Sequence, residues 1–255
     1  MINRAAPIAD PAAPLARRNP VAKLVAAAVV ALALVLSLDP VAPGIAFGVE
    51  LAVVPFFGIR YPVLARRVWP LLLGIVGAVV TLFLFATDRQ HILTSALALA
   101  LRLLAVALPG VLAFATTDPT DLADALIQNA KVPPRFAIGT LAAWRLVPLL
   151  GDEWRLIHHA RRARGVDPGR NPLAHLRLFA SASFTLLVGA IRRGTRLATA
   201  MDARGFDAGT PRTSARRVPF GVADALLIAA ATGAAALAVG VSVWTGEFRP
   251  IFTAP

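Results

Sequence analysis

Cysteine is absent from this chain of 255 residues, and its absence excludes disulfide bridges, thiolate metal sites and cysteine nucleophiles. Charge is scarce too: 16% of the residues are charged, whereas soluble domains have about a quarter. Lysine occurs only at Lys23 and Lys131, and neither follows a glycine-rich phosphate-binding loop. We therefore predict that the chain binds no cofactor itself.

Apolar residues dominate what is present, at 57% of the chain with a mean hydropathy of +0.69. Such a chain has too little polar surface for a globule in water, so the composition predicts an integral membrane protein. The 26 basic residues outnumber the 14 acidic ones, which gives a net charge of +12. Because the basic residues lie between apolar runs, they indicate the cytoplasmic face of a lipid bilayer or an acidic protein partner, and we expect no nucleic acid.

Four apolar runs predict transmembrane helices in the first half of the chain, at about 21–38, 41–59, 69–87 and 92–115. Together they make a four-span region, 21–115. The loop after the second run is basic, so it is predicted to be cytoplasmic, and the N-terminus with it. The basic residues of that loop are Arg60, Arg66 and Arg67.

The residues before the first run, 1–20, are rich in Ala and Pro and predict a disordered cytoplasmic tail. Basic residues before an apolar run also fit a cleaved signal peptide, but further spans follow and the cleavage site is weak, so a transmembrane helix is favoured. Two charged residues fall inside the runs. We expect Glu50 to make a polar contact between helices, and Arg102 to reach the interface or a partner.

The pattern changes after Thr116. Asp118 and Pro119 predict a helix start, with Asp118 as the capping residue. The apolar stretch 136–150 is too short for a span of about 20 residues. If it crossed the membrane, the Arg-rich stretch after it would lie outside, against the preference of basic segments for the cytoplasm. We therefore predict that 119–150 lies in helical pieces along the cytoplasmic interface.

Two amphipathic helices are predicted next, from about Gly151 to Arg164, and from the cap formed by Asn171 and Pro172 to about Arg204. Each closes on the triplet Ala-Arg-Gly, in which glycine suits the left-handed residue that ends a helix.

The predicted fold class is an all-α integral membrane protein with about five transmembrane helices and cytoplasmic amphipathic helices. We assign 116–219 to the cytoplasmic or interfacial region and 220–246 to the last transmembrane helix. The protein is expected in the cell membrane, with several passes and a cytoplasmic N-terminus.

Several blocks of the sequence resemble one transporter family. Two Ala-Arg-Gly triplets, each closing an amphipathic helix ahead of a last apolar run, are a fairly specific pattern. With the other matching blocks, they make the chain similar to the transmembrane coupling subunit of energy-coupling factor transporters, the EcfT/CbiQ family. The matching blocks are 19–24, 117–122, 145–150 ahead of Glu153, 163–165 and 203–205.

The resemblance implies that the chain is not an enzyme. It implies a subunit that joins two ABC ATPase subunits to a small membrane protein, which binds a vitamin or a metal ion such as cobalt or nickel; the sequence does not say which. The helix tips would dock on the ATPases through arginine–carboxylate pairs, and the apolar helix bodies would hold the substrate-binding component. The implied docking residues are Ala163, Arg164, Gly165, Ala203, Arg204 and Gly205, and the body residues are Trp154, Ile157, Leu187, Ile191 and Met201.

Two other classes of membrane protein are compatible with the sequence. A membrane enzyme acting on lipid phosphates would need an acidic cluster beside the Arg-rich stretch, but helix capping explains the available carboxylates more simply. A channel or secondary transporter would need polar residues near the bilayer midplane, for which Glu50 and Arg102 are the candidates. His158 and His159 are adjacent on a helix and face different ways, so we predict no metal site and no catalytic residue. The acidic cluster is Asp118, Asp121 and Asp124.

Overall fold

The computed structural model describes residues 13–37, 39–85, 92–166, 169, 171–206 and 214–248. Within these residues the chain forms eight α-helices and one short 3₁₀ helix, so the all-helical fold is confirmed. Residues 88–91, between the third and fourth apolar runs, and 207–213, ahead of the last one, lie outside the described residues. The helices are α1 (Pro20–Val35), α2 (Val41–Val53), α3 (Tyr61–Phe85), α4 (Ile92–Ala115), α5 (Pro119–Gln128), α6 (Pro134–Ala163), α7 (Pro172–Ala203) and α8 (Val222–Trp244).

Among the described residues, four helices are long and apolar enough to cross a membrane, namely α3, α4, α7 and α8. The helices α1 and α2 are apolar but shorter, and α2 is continued by the 3₁₀ helix Val54–Phe57. Gly58, with a φ of 70°, ends that segment in the left-handed conformation. The chain is thus a multi-pass membrane protein in which apolar helices account for most of the described residues.

The third helix starts earlier than predicted. We expected a cytoplasmic loop that includes Arg66 and Arg67, but both arginines lie inside α3, which begins at Tyr61. The Arg60 carbonyl accepts the N–H of Leu64 at 3.1 Å and so begins the helix. Arginine has a high helix propensity, so a basic stretch next to an apolar run extends the helix.

The helix α6 is also longer than predicted. A break near Gly151 was expected, with a short interfacial piece at 136–150, but one continuous helix of 30 residues runs from Pro134 to Ala163. Pro148 lies inside it and removes a single backbone donor. Good helix formers on both sides keep the helix continuous, because losing one hydrogen bond does not outweigh their propensity.

The described residues form two compact units. The first contains the residues up to Ala130 and those from Val218 onward, hence α1 to α5 and α8; the second is 131–217, with α6 and α7. The assignment of 116–219 to the cytoplasm stays a prediction.

Alanine allows the helices of the first unit to approach closely. The helix α1 packs against α4 and α8, and α2 packs against the same two helices. The alanines Ala22, Ala42, Ala105 and Ala238 are completely buried at these contacts. Small side chains bring helix backbones together, which is the usual basis of helix association in membranes.

The predicted tail at 1–20 is described only from Ala13, and there the chain is packed. The backbone N–H of Leu15 donates to the carbonyl of Phe56 at 3.1 Å, and Leu15 lies against the core around Leu108. The side chain of Asn19 caps α1 by accepting the N–H of Val21 at 2.9 Å. An apolar residue and a helix cap therefore order the chain just before the first helix.

Candidate docking surface on the α6–α7 unit

The first Ala-Arg-Gly triplet forms a hydrogen-bonded turn at the end of α6. The N–H of Val166 donates to the carbonyl of Arg161 at 3.0 Å, and the N–H of Gly165 donates to that of Arg162 at 2.9 Å. Gly165 has a φ of 74°, a conformation that residues with a Cβ rarely adopt. This pair of bonds is the Schellman motif, and it leaves Arg164 at the tip of the helix.

The second triplet forms the same motif at the end of α7. The N–H of Phe206 donates to the backbone carbonyl of Met201 at 3.0 Å, and the N–H of Gly205 donates to the backbone carbonyl of Asp202 at 2.9 Å. The φ of Gly205 is 68°. The predicted left-handed helix ends are therefore confirmed at both triplets, with Arg204 in the position that Arg164 holds in the first.

Both arginines are available to a partner. Arg164 and Arg204 are exposed, and neither guanidinium makes a hydrogen bond or ion pair within the described part of the chain. Their neighbours Ala163 and Ala203 are exposed as well. A planar guanidinium on a fixed turn can form two parallel hydrogen bonds to a carboxylate.

The helices α6 and α7 run in opposite directions. Glu153 in α6 forms a salt bridge with Arg193 in α7, and Arg161, further along α6, donates to the Leu178 carbonyl at 3.0 Å and to the Ser181 hydroxyl at 2.9 Å. Residues later in α6 thus contact residues earlier in α7, as expected for antiparallel helices. These contacts of Arg161 were not predicted, because nothing local in the sequence shows which residues of α7 lie beside it.

Opposite directions place the two tips at opposite ends of α7. Its 32 residues, at about 1.5 Å each, span about 48 Å. The first tip precedes α7 directly, since only 164–171 separate the two helices, and the second tip follows Ala203. The unit therefore presents two equivalent arginine tips that are far enough apart for two separate partner molecules.

The predicted body residues fall into two groups. Trp154 packs edge-on against Phe179, with ring centroids 5.3 Å apart, and also stacks on His158 at 4.4 Å. It therefore joins α6 to α7, and its predicted contact with the substrate-binding component stays a prediction. Ile157 and Met201 are half-buried.

The body of α7 carries an exposed apolar stripe. Leu187 and Ile191 are 57% and 60% exposed, and Phe184 and Val188 are exposed beside them. Their spacing of three and four residues puts all four on one face of the helix. Exposed apolar residues in such a row indicate a surface that lipid or an apolar protein covers.

The two charged residues predicted inside apolar runs behave differently. Arg102 donates to the Val35 carbonyl at 2.6 Å, so it finds a partner at the end of α1. Glu50 does not make the expected contact between helices: both carboxylate oxygens are buried without a hydrogen bond to any described residue. The side chain lines a cavity of about 220 Å³, whose walls are mainly alanine and other apolar residues.

The acidic cluster Asp118, Asp121 and Asp124 lies at and just after the start of α5. The Asp118 carboxylate accepts the N–H of Thr120 at 2.7 Å, which confirms its role as the capping residue of α5. Among the described residues, no three His, Cys, Asp or Glu side chains lie close enough to bind a metal ion.

Comparisons with known proteins agree with this architecture. The family model CbiQ, described as "Cobalt transport protein", matches residues 11–215. The transmembrane protein EcfT of Limosilactobacillus fermentum is 32% identical over 145 residues, 54% of each chain. EcfT 1 of Listeria monocytogenes is 32% identical over 186 residues, 65% of this chain and 70% of the relative. EcfT of Lactococcus lactis is 32% identical over 121 residues, 44% of this chain and 46% of the relative.

The fold and these matches define an all-helical, multi-pass membrane protein, whose matched relatives are named transmembrane proteins of energy-coupling factor transporters. The chain belongs to the CbiQ family. It spans about half the length of most of the curated relatives it matches, the first among them.

Proposed function

We propose that this chain is the transmembrane component of an energy-coupling factor transporter, in which it links ATPase subunits to a substrate-binding membrane component. The relatives support this proposal, since they are named energy-coupling factor transporter transmembrane proteins. The observation that carries it is the pair of Schellman turns, one at the end of α6 and one at the end of α7, each with an exposed arginine at its tip. Two equivalent tips suit two similar partners, which is what a pair of ABC ATPases offers.

The tips and the body of the unit have separate roles in this proposal. Arg164 and Arg204 pair with carboxylates on the two ATPases, where partial burial strengthens a guanidinium–carboxylate contact. The apolar stripe around Leu187 and Ile191 faces the substrate-binding component or the surrounding lipid. A continuous helix joins the two kinds of surface, so it transmits a displacement of the ATPases to the membrane component.

The chemistry of transport is divided among the chains. ATP and Mg²⁺ are bound by the ATPases, and the transported substrate is bound by the small membrane component. The substrate class is a vitamin or a metal ion such as cobalt or nickel; the family's description as a cobalt transport protein supports the metal class. We place the complex in the cell membrane, with the N-terminus of this chain in the cytoplasm.

Affinity purification from native membranes tests the proposal. The tagged chain is extracted in a mild detergent, and co-purifying proteins are identified and quantified by mass spectrometry. We expect two ABC ATPase subunits, or two copies of one, together with a small apolar membrane protein whose identity gives the substrate class. Recovery of the chain alone in several detergents would contradict the proposal and favour a transporter that acts without ATPases.

A further inference from the structure

A basic pocket lies between the end of α6 and the start of α7. Its volume is about 460 Å³, and the described residues of its wall include four basic side chains and no carboxylate. Because basic groups grouped without an acidic partner attract an anion, the composition of the wall predicts a negatively charged ligand. The four basic residues are His158, Arg161, Arg162 and His175.

The two arginines leave donors free for such a ligand. Arg161 uses one hydrogen on each terminal nitrogen, toward Leu178 and Ser181, out of the five that a guanidinium carries. These bonds also hold its side chain in place across the two helices. The side chain of Arg162 is exposed and makes no hydrogen bond or ion pair with any residue that the structure describes.

Each histidine is oriented by one backbone carbonyl. Nδ1 of His158 lies 2.9 Å from the Trp154 carbonyl, and Nε2 of His175 lies 3.1 Å from that of Gly169. A carbonyl only accepts hydrogen bonds, so these nitrogens carry the hydrogens. Both rings are therefore held in place at the wall of the pocket.

Apolar residues border the pocket on α7. Leu173 and Leu176 are 74% and 64% exposed, and Leu176 and Phe179 belong to the pocket wall itself. A small soluble anion would leave these side chains in water. An amphiphile with a charged head and acyl chains would cover them while its head occupies the basic part.

We propose that this pocket binds the phosphate headgroup of an anionic phospholipid, whose acyl chains lie along Leu173, Leu176 and Phe179. The two arginines bind the phosphate oxygens through charge-assisted hydrogen bonds, and the histidines complete the site. The proposal does not depend on ATPase docking, since it uses no residue of the two Ala-Arg-Gly triplets.

Lipid titration by native mass spectrometry tests the site. The purified full chain in neutral detergent is titrated with phosphatidylglycerol or with phosphatidylcholine, and the lipid-bound fraction is measured. We expect phosphatidylglycerol to bind at least about tenfold more tightly, which is about 1.4 kcal/mol. The variant with both Arg162→Gln and His175→Gln should lose that preference.

A matched variant controls for overall charge. Arg196→Gln with His159→Gln makes the same two changes at exposed positions of the same helices, outside the pocket wall. It should keep the preference for phosphatidylglycerol, and circular dichroism should show equal helicity in all three proteins. Equal loss in both double variants would overturn the assignment to this pocket.

Two further outcomes would overturn the choice of a lipid. Displacement of phosphatidylglycerol by millimolar inorganic phosphate would make free phosphate the ligand. A pocket variant that binds both lipids like the wild type but no longer retains ATPases would make the pocket a site for a protein carboxylate.

Discussion

The backbone N–H of Asn19 donates a hydrogen bond of 2.9 Å to the buried carboxylate of Asp224, across 205 positions of sequence. The other oxygen of Asp224 accepts the N–H of Gly221 at 2.8 Å and so caps α8. Asn19 also donates from its side chain to the carbonyls of Val218 and Pro219. Hydrogen bonds of the buried residues Asn19 and Asp224 therefore fix the starts of α1 and α8 to each other.

Replacing Asp224 should destabilise the first unit. In Asp224→Asn one acceptor oxygen becomes an NH₂ group that faces a backbone donor, so a buried N–H is left without an acceptor. Leaving such a group unsatisfied costs about 1–3 kcal/mol. We expect a lower midpoint of thermal unfolding in detergent, followed by circular dichroism. Asp202→Asn makes the same change at an exposed position and should leave the midpoint unchanged.

Local signals in the sequence were sufficient to predict where several helices start or end. The end of α4 at Ala115 was predicted, because polar residues follow the apolar run there. The start of α7 followed from Asn171 and Pro172, and the Asn171 carboxamide indeed accepts the N–H of Leu173 at 3.0 Å. The Schellman turns at Gly165 and Gly205 are equally local.

Long-range relationships could not be predicted in this way. The bond between Asn19 and Asp224 joins segments whose order in the bundle no local pattern shows. The basic pocket depends on which residues of α7 lie beside Arg161, and that register is set by packing. The continuity of α6 is a local feature that the sequence prediction missed. Pro148 is a helix breaker, but the residues on both sides of it keep the helix continuous.

The unpartnered Glu50 predicts a stabilising substitution. Its buried carboxylate oxygens have no hydrogen bond to a described residue, and burial without a partner costs about 1–3 kcal/mol. Glu50→Leu places an apolar side chain against the alanines of the same cavity and should raise the unfolding midpoint of the isolated chain. Glu247→Leu, at an exposed position, should not. A lower midpoint for Glu50→Leu would mean that the carboxylate is satisfied by a bound group.

The left-handed turn at Gly165 predicts a cost for alanine. Apart from its chain neighbours, no described residue has a heavy atom within 4 Å of an added Cβ, so the backbone conformation at a φ of 74° is what opposes it. That conformation costs an ordinary residue about 1–2 kcal/mol. Gly165→Ala should therefore disorder the tip and reduce ATPase recovery. Gly151→Ala in the same helix also meets no atom within 4 Å and should keep full recovery, as should Gly165→Asn, which tolerates this conformation better.

Labelling of introduced cysteines tests the predicted topology, and the cysteine-free chain makes it simple. Ser214→Cys lies before α8 and Glu247→Cys after it, both exposed. With a membrane-impermeant maleimide, we expect Ser214→Cys to react only in inside-out vesicles and Glu247→Cys only in right-side-out ones. The reverse result would place the α6–α7 unit outside and contradict the cytoplasmic docking of ATPases.

Charge reversal at the two tips tests the docking itself. Arg164→Glu and Arg204→Glu each remove a charge-assisted contact and add repulsion toward a carboxylate, at a cost of about 2–5 kcal/mol if the pair is buried. We expect each variant to lower the ATPase recovered per chain, and the double variant to abolish it, with membrane insertion unchanged. Arg196→Glu reverses an exposed charge in the interior of α7 and should have little effect. The double variant changes both tips, which lie at opposite ends of α7. If it recovers as much ATPase as the wild type, the ATPases bind another surface.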